Sequence, residues 1–433
     1  MIIVKGIINR FKNSKEAKNA SWLIVGRIFQ MILSFVVSII TARYLGPSNY
    51  GIINYATAYV AFFTSLCTLG INSVIVKDFI NNPEDQGKTI GTTIILRIIS
   101  SALSSLMIVA IVSIVDRGES TTIFVSALCS LALIFQVFDT ITYWFQSRYE
   151  SKVTAIAILI AYIASSVYKI LLFILGKSVA WFAFATSVDY ICLAILLLMA
   201  YKKNDGPKLS FSWEKGKDLL AQSYHYILSG MMVAIYGQTD KLMLKQMLDS
   251  NSVGYYSLAS SINTMWVFVL SAIIDSIVPT IMRYHKDGNI DEFNKKNRQL
   301  YAIVIYVSVI VAIFMIIFGK PAIILIYGKA YTPASSVLTI ICWYTIFSYL
   351  GVARNAWIVC ENQQKYLKYM YFSAAILNVI LNYFMIPIWG ARGAAIASLI
   401  TQICTSLVIP AFIEDMRPNI RLIIDAFALR GIK

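Results

Sequence analysis

Leu45-Gly-Pro-Ser-Asn-Tyr-Gly51-Ile-Ile-Asn-Tyr-Ala56 and Leu248-Asp-Ser-Asn-Ser-Val-Gly254-Tyr-Tyr-Ser-Leu-Ala259 are two versions of one phrase, set 203 residues apart. At that offset Leu45 meets Leu248, Gly51 meets Gly254 and Ala56 meets Ala259. Each stretch closes one long apolar run with a polar turn and opens the next with glycine and aromatic residues. A bilayer-spanning helix needs ~20 mainly apolar residues. Working outward from the two phrases gives twelve such runs: 21–43, 51–76, 90–115, 121–144, 153–175, 179–201, 218–240, 253–282, 299–319, 333–359, 366–389 and 391–414. The phrases join the first run to the second and the seventh to the eighth. With six runs per half, both halves keep the same orientation, so the chain reads as a parallel repeat about an axis along the membrane normal.

Composition requires the same setting. Of the 433 residues 58% are hydrophobic and 14% charged, whereas soluble domains carry about a quarter charged residues. The net charge of +15 would suggest nucleic acid in a soluble protein. Here the bases fall on one side of the predicted helices. With both termini inside, the inner segments hold 25 Lys and Arg and the outer ones 8, as the positive-inside rule requires of cytoplasmic ends. The charge is a topology signal and calls for no nucleic-acid partner. No cleavable signal peptide is expected at the basic start. The expected organisation is a cytoplasmic N-terminus 1–20, an N-lobe 21–201, a basic linker 202–217, a C-lobe 218–414 and a cytoplasmic amphipathic tail 415–433. The tail would lie on the inner surface or fray.

Two six-helix lobes joined by a basic linker resemble the polysaccharide-transporter flippases of the O-antigen type. That family shares a superfamily with the MATE drug/cation antiporters and the lipid II flippase. Ala42-Arg-Tyr-Leu-Gly-Pro-Ser-Asn-Tyr-Gly51 is similar to the family's first outer loop. Gln238-Thr-Asp-Lys-Leu-Met-Leu244, with Val253–Ala259, is similar to its seventh-to-eighth helix signature. The lipid II branch fits less well, since it typically adds two C-terminal helices. The resemblance implies an all-α, V-shaped, MATE-like polytopic protein of the cytoplasmic membrane, working by alternating access. Its implied cargo is an undecaprenyl-pyrophosphate-linked oligosaccharide, carried from the inner to the outer leaflet. Membrane lipids, a polysaccharide polymerase and the chain-length machinery are the implied partners. Physics sets the same requirement, because a pyrophosphate-sugar head group cannot cross ~30 Å of hydrocarbon without a wet, cationic chamber.

Four bases fall inside predicted spans: Arg27, Arg97, Lys169 and Arg354. Arg27, Arg97 and Arg354 lie five to seven residues from inner helix ends, roughly 8–11 Å deep at ~1.5 Å per residue. They are the candidate pyrophosphate ligands, since a planar guanidinium suits phosphate; the competing reading is snorkelling to the interface. Lys169 and Asp189 sit at compatible depths, either as an ion pair within one lobe or as a coupling site. Asp240, Lys241 and His225 complete the coupling or gating candidates. Asp139 and Asp275 read as interfacial or capping residues. Asn54, Tyr55, Tyr59 and Asn263 are candidates for sugar contact. The six cysteines read as small packing residues.

The sequence has no zinc constellation, P-loop, dinucleotide fingerprint or GxSxG. No cofactor is expected. The energy source is then a proton or sodium gradient, the membrane potential, or removal of cargo on the far side. Two alternatives are a MATE-type drug or cation antiporter, which predicts an anionic or apolar cavity, and a membrane glycan polymerase, which usually presents a large outer loop that this sequence lacks.

Overall fold

The computed structural model describes residues 15–431, with side chains left out for 15–29, 228 and 229. Among the described residues every regular element is helical. The first, α1 (Lys15–Thr68), runs through both expected initial spans. Gly46, with φ 69° and ψ 173°, breaks its helical path just before Pro47. Proline strips a backbone donor, and its ring crowds the preceding turn. The second arm of α1 stops at Thr68, short of the expected 76, because Leu69 (φ 52°) and Gly70 (φ 62°) both turn left-handed. A Cβ at Gly70 would come within 2.6 Å of the Ser223 carbonyl oxygen, so only glycine fits this crossing.

The chain continues through α2 (Ile75–Asn81), α3 (Gln86–Val115), α4 (Ser120–Gln136), α5 (Thr140–Ser147), α6 (Ser151–Ile174) and α7 (Val179–Lys203). It then passes through α8 (Trp213–Met247), α9 (Ser250–Lys286), α10 (Ile290–Tyr327), α11 (Ala334–Cys360), α12 (Leu367–Trp389) and α13 (Ala391–Ile403). A π-helical turn, Cys404–Val408, leads into the short α14 (Ile409–Phe412), and α15 (Arg417–Phe427) ends the chain. Ten described stretches are long and apolar enough to cross a membrane. One of them holds both arms of α1 from Gln30. The expected seventh span, α8, is not among the ten: its stretch 219–239 is free of Asp, Glu, Lys and Arg but carries Gln222, Ser223, His225, Gln238 and Thr239, which lower its hydropathy. Gly390 (φ 60°) separates α12 from α13, at the break the sequence predicts.

The packing falls into two units. One holds the chain up to Tyr44 together with Ala56–Ala234; the other holds Leu45–Tyr55 and the chain from Ile235 onward. The boundaries cut α1 and α8 rather than the 202–217 linker. Within the first unit that linker is fastened down. Ser210 N donates to the Gly87 carbonyl (3.3 Å) and Ser212 N to Thr92 Oγ1 (2.9 Å). The Tyr201 hydroxyl donates to the Pro207 carbonyl (2.5 Å), and Lys215 Nζ pairs with Asp78 Oδ1 (2.6 Å).

In the second unit the two repeated phrases meet. A Cβ on Gly51 would run into the Ser250 carbonyl, and a Cβ on Gly254 would run into the Pro47 carbonyl. Pro47 and Ser250 are themselves related by the 203-residue offset. The contact is therefore reciprocal, as two-fold-related surfaces require. The second unit's core gathers Ile281, Leu300, Tyr301, Val304, Leu350, Trp357 and Met370. α15 joins this core: Ile420, Leu422, Ile423 and Ala426 are buried, and Asn419 Nδ2 donates to the Tyr301 hydroxyl at 2.7 Å. Its apolar stripe is thus covered by protein.

Candidate functional site

Each unit contains a buried polar centre. In the first, Arg97 on α3 is 1% exposed and lies 2.5 Å from Asp139 Oδ1, with Thr140 Oγ1 accepting at 2.8 Å. Asp139 closes a single turn of 3-10 helix between α4 and α5. That turn aims the carboxylate at α3, so the residue expected at an interface or cap is the counter-ion of Arg97. A buried guanidinium that lost this partner would carry an uncompensated charge. Arg97 Nε has no hydrogen-bond partner. Lys169 on α6 and Asp189 on α7 are half-buried and feel one another's charge. They form no direct ion pair among the described residues. Tyr190, beside Asp189, also lies in the field of Asp139 and Arg97. Formal charge in this centre balances: two bases and two carboxylates.

The second unit is arranged differently. Asp240, near the end of α8, is 6% exposed and accepts hydrogen bonds from neutral groups. Asn378 Nδ2 (3.2 Å) and Asn382 Nδ2 (2.7 Å), both on α12, donate to Oδ1. The Ser398 hydroxyl on α13 (2.5 Å) and the Tyr256 hydroxyl on α9 donate to Oδ2. Four helices therefore meet on one carboxylate. Asn378 and Asn382 are one helical turn apart, so both amides face α8. Asn382 Oδ1 is buried without a partner. Nearby, Gln402 Nε2 donates to the Tyr236 hydroxyl and to the Tyr344 hydroxyl (3.3 Å). Among the described residues no base forms an ion pair with Asp240.

Arg354 on α11 is the second unit's buried base, 1% exposed. Its Nη1 donates to the Thr405 (3.2 Å) and Ser406 (3.1 Å) carbonyls. Those carbonyls belong to the π-helical turn, whose widened ladder frees acceptors that an α-helix would use. Arg354 Nε has no partner, and no carboxylate pairs with Arg354 among the described residues. A guanidinium without a counter-ion at this depth is costly and marks a functional position.

The other sequence candidates scatter. The Arg27 side chain lies outside the described residues. Lys241 is half-buried and feels the charge of its neighbour Asp240. His225 is exposed, its ring 3.7 Å from that of Tyr224. Asp275 is exposed. Three of the expected sugar-contact residues are engaged internally: Asn54 donates to the Tyr50 carbonyl (2.8 Å), the Tyr55 hydroxyl accepts from Gln246 (2.6 Å), and Asn263 donates to Thr345 (2.8 Å). No group of three or more His, Cys, Asp or Glu among the described residues is placed to hold a metal ion. Sequence reasoning missed Asn378, Asn382 and Ser398. The available signal was two asparagines at helical spacing inside an apolar span.

Residues 17–285 match the family described as "Polysaccharide biosynthesis protein". The chain belongs to that family. Residues 226–384 also match the MatE family. The capsular polysaccharide biosynthesis protein CapF of Staphylococcus aureus is 22% identical over 398 residues, covering 89% of this chain and 96% of CapF. The lipid II flippase MurJ of Bacillus subtilis (strain 168) is 20% identical, covering 91% and 82%. Among solved structures, a lipid II flippase MurJ in an inward closed conformation superposes with a TM-score of 0.70 at 16% identity, covering 94% of this chain and 91% of that one. An inward-facing multidrug resistance MATE transporter superposes at 0.66 with 14% identity, covering 90% and 94%. The fold is that of these transporters, and the chain is a multi-pass membrane protein.

Proposed function

We propose that the protein is a flippase carrying undecaprenyl-pyrophosphate-linked oligosaccharide units from the inner to the outer leaflet of the cytoplasmic membrane by alternating access. The observation that carries this reading is Arg354, a buried guanidinium with a free Nε and no carboxylate partner among the described residues. A diphosphate is a ligand such a group can exchange for backbone carbonyls, through paired charge-assisted hydrogen bonds. Arg27, Arg97 and Lys169 of the first unit are the further candidate ligands for phosphate. Arg97 and Lys169 would bind it while sharing their charge with Asp139 and Asp189. The family match and the capsular relative support a glycan cargo.

Asp240 is the coupling residue of this scheme, with Lys241 beside it; Asp189 and His225 are secondary candidates. A membrane-buried carboxylate held only by hydroxyls and amides binds a proton or a sodium ion once those donors turn away. Asn382 Oδ1, buried and unpartnered, offers the further oxygen that a hard cation prefers.

The test is a deletion strain complemented with wild type or Arg354→Gln. Loss of surface glycan, with lipid-linked oligosaccharide accumulating on the inner leaflet, is expected in the deletion and in the variant. Normal surface glycan in the deletion strain overturns the proposal. The MatE match and the buried Asp240 favour one second reading, a drug or cation antiporter. That reading requires the deletion to sensitise cells to cationic drugs while glycan export stays intact.

A further inference from the structure

On the lipid-facing side of α10, Ala302, Ile303, Tyr306, Val307 and Ile310 line a groove of about 500 Å³ that Leu429 overhangs. Among the described residues its polar lining groups are the Gln299 amide and the Tyr306 hydroxyl, which is engaged by the Phe427 carbonyl. From Gln299 to Ile310 the groove follows α10 for ~16 Å at ~1.5 Å per residue. One leaflet contributes about half of a ~30 Å hydrocarbon core, so the groove is as long as one leaflet is deep.

The polar end of the groove is basic. Lys295 lies one turn before Gln299 on the same helical stripe, and Lys296 Nζ donates to Gln299 Oε1 (2.9 Å). Arg298 Nε donates to the Gly431 carbonyl (3.1 Å), bringing its guanidinium to the segment that holds the exposed Arg430. Against these four bases stand Asp291, one turn before Lys295, Glu292, 3.9 Å from Lys295, and the half-buried Asp425. Leu429 adds a separate observation. It is 57% exposed yet held at φ 55°, a conformation that branched side chains rarely adopt. The Tyr306 hydroxyl donates to the Phe427 carbonyl (2.8 Å), and this bond fixes the turn that projects Leu429 over the groove.

We propose that this groove binds one acyl chain of an anionic phospholipid of the inner leaflet, with the headgroup phosphate on the Lys295, Lys296 and Arg298 cluster. Charge complementarity at one end and a leaflet-length apolar channel leading from it select that occupant. A bare apolar contact with bulk lipid would not require the bases. The site depends on the topology read from charge, and not on the identity of the cargo.

The experiment uses the full chain, purified in detergent and supplied with phosphatidylglycerol or phosphatidylcholine of identical acyl chains. Lipid retention is read by native mass spectrometry, and the apparent unfolding midpoint is followed in parallel. Retention of about one phosphatidylglycerol per chain is expected, at several-fold excess over phosphatidylcholine, with a matching rise in midpoint. Lys295→Glu combined with Lys296→Glu, which leaves the Arg298–Gly431 bond intact, should abolish the headgroup preference. Val307→Trp should fill the channel and lower retention of both lipids. Equal retention of the two lipids by wild type overturns the proposal, as does unchanged retention in both variants. A lipid-free dimer would give the groove to a second copy. Displacement of phosphatidylglycerol by stoichiometric undecaprenyl phosphate would give it to a polyprenyl tail. Either result overturns the assignment.

Discussion

Asp139→Ala should destabilise the first unit far more than an ordinary substitution at a helix end. The cost follows from what it leaves behind. Arg97 is 1% exposed, and its Nη1 has two side-chain acceptors, Asp139 Oδ1 and Thr140 Oγ1. Without Asp139 the guanidinium keeps one neutral hydroxyl and no counter-charge. Breaking a buried pair from one side costs about 3–5 kcal/mol. The Asp139 side chain is 20% exposed, so water reaches the vacated site and the lower end, about 3 kcal/mol, applies. Removing the base instead, with Arg97→Met, strands a carboxylate that can hydrate from its exposed side, so the cost falls to about 2 kcal/mol. Removing both, with Arg97→Met and Asp139→Leu, leaves no unpaired charge and should cost about 1 kcal/mol or less, since apolar replacement of a buried pair is often near neutral. With Asp139→Leu as the matching single variant, also at about 3 kcal/mol, the double-mutant cycle yields a coupling of about 4–5 kcal/mol. The assay is the apparent unfolding midpoint in one detergent at one scan rate, because membrane proteins of this size unfold irreversibly. If the double variant is as unstable as Asp139→Ala, the ion pair is not what holds this region, and the reasoning fails.

Three further outcomes are expected. Asp240→Asn removes the charge that strengthens all four hydrogen bonds, each worth about 1.5–3 kcal/mol to a charged group. The amide oxygen keeps Asn378 and Asn382 while the Tyr256 and Ser398 hydroxyls turn to accept, so complementation of glycan export should fail while protein is still detected in the membrane. Gly51→Ala and Gly254→Ala each push a methyl into a backbone carbonyl that cannot turn aside, costing about 1–3 kcal/mol. Because one shift of the phrases relieves both clashes, the double variant should unfold at a midpoint well above the additive expectation. Arg354→Lys keeps the charge but not the planar fork that a diphosphate would engage; it should restore less than a tenth of wild-type export, and full export with lysine would remove the need for a bidentate contact.

What the sequence made legible is what depends on local pattern. Apolar runs located the helices, and Gly390 located the break before α13. The repeated phrase identified Gly51 and Gly254, and these two glycines turn out to sit against each other's phrase. The first two spans are joined because a single non-helical residue, Gly46, kinks a helix without ending it, and the hydropathy of the run is the same either way. The early end of α1 depends on Leu69, an ordinary apolar residue forced left-handed by the crossing at Gly70, and composition does not encode that. The buried centres were half visible. Arg97, Arg354 and Asp240 stand out as charges in apolar runs. Their partners are a carboxylate 42 positions away, two carbonyls of a π-helical turn, and residues 138 to 158 positions downstream of Asp240. Those distances are bridged by tertiary packing, and a π-helical turn has no residue signature comparable to a proline or glycine.

The two centres divide the electrostatic work between the units. In the first, Arg97 and Lys169 each have a carboxylate close by, so among the described residues these two bases cost less to keep in the membrane. In the second, Asp240 is held by neutral donors, with Lys241 only nearby, and Arg354 by neutral carbonyls, and neither forms an ion pair among the described residues. Dipoles hold a buried charge less firmly than a counter-ion does, and they can be rotated away one at a time. An arrangement built only for stability would have paired Asp240 with a base, because hydroxyls and amides recover less of the desolvation cost. Holding an anion and a cation apart in one unit, each on replaceable neutral ligands, leaves Asp240 able to accept a positive ligand and Arg354 a negative one. A carrier that exchanges a small cation against an anionic head group needs these two capacities together. On this argument the second unit, more than the first, should be where substitutions abolish transport without unfolding the protein.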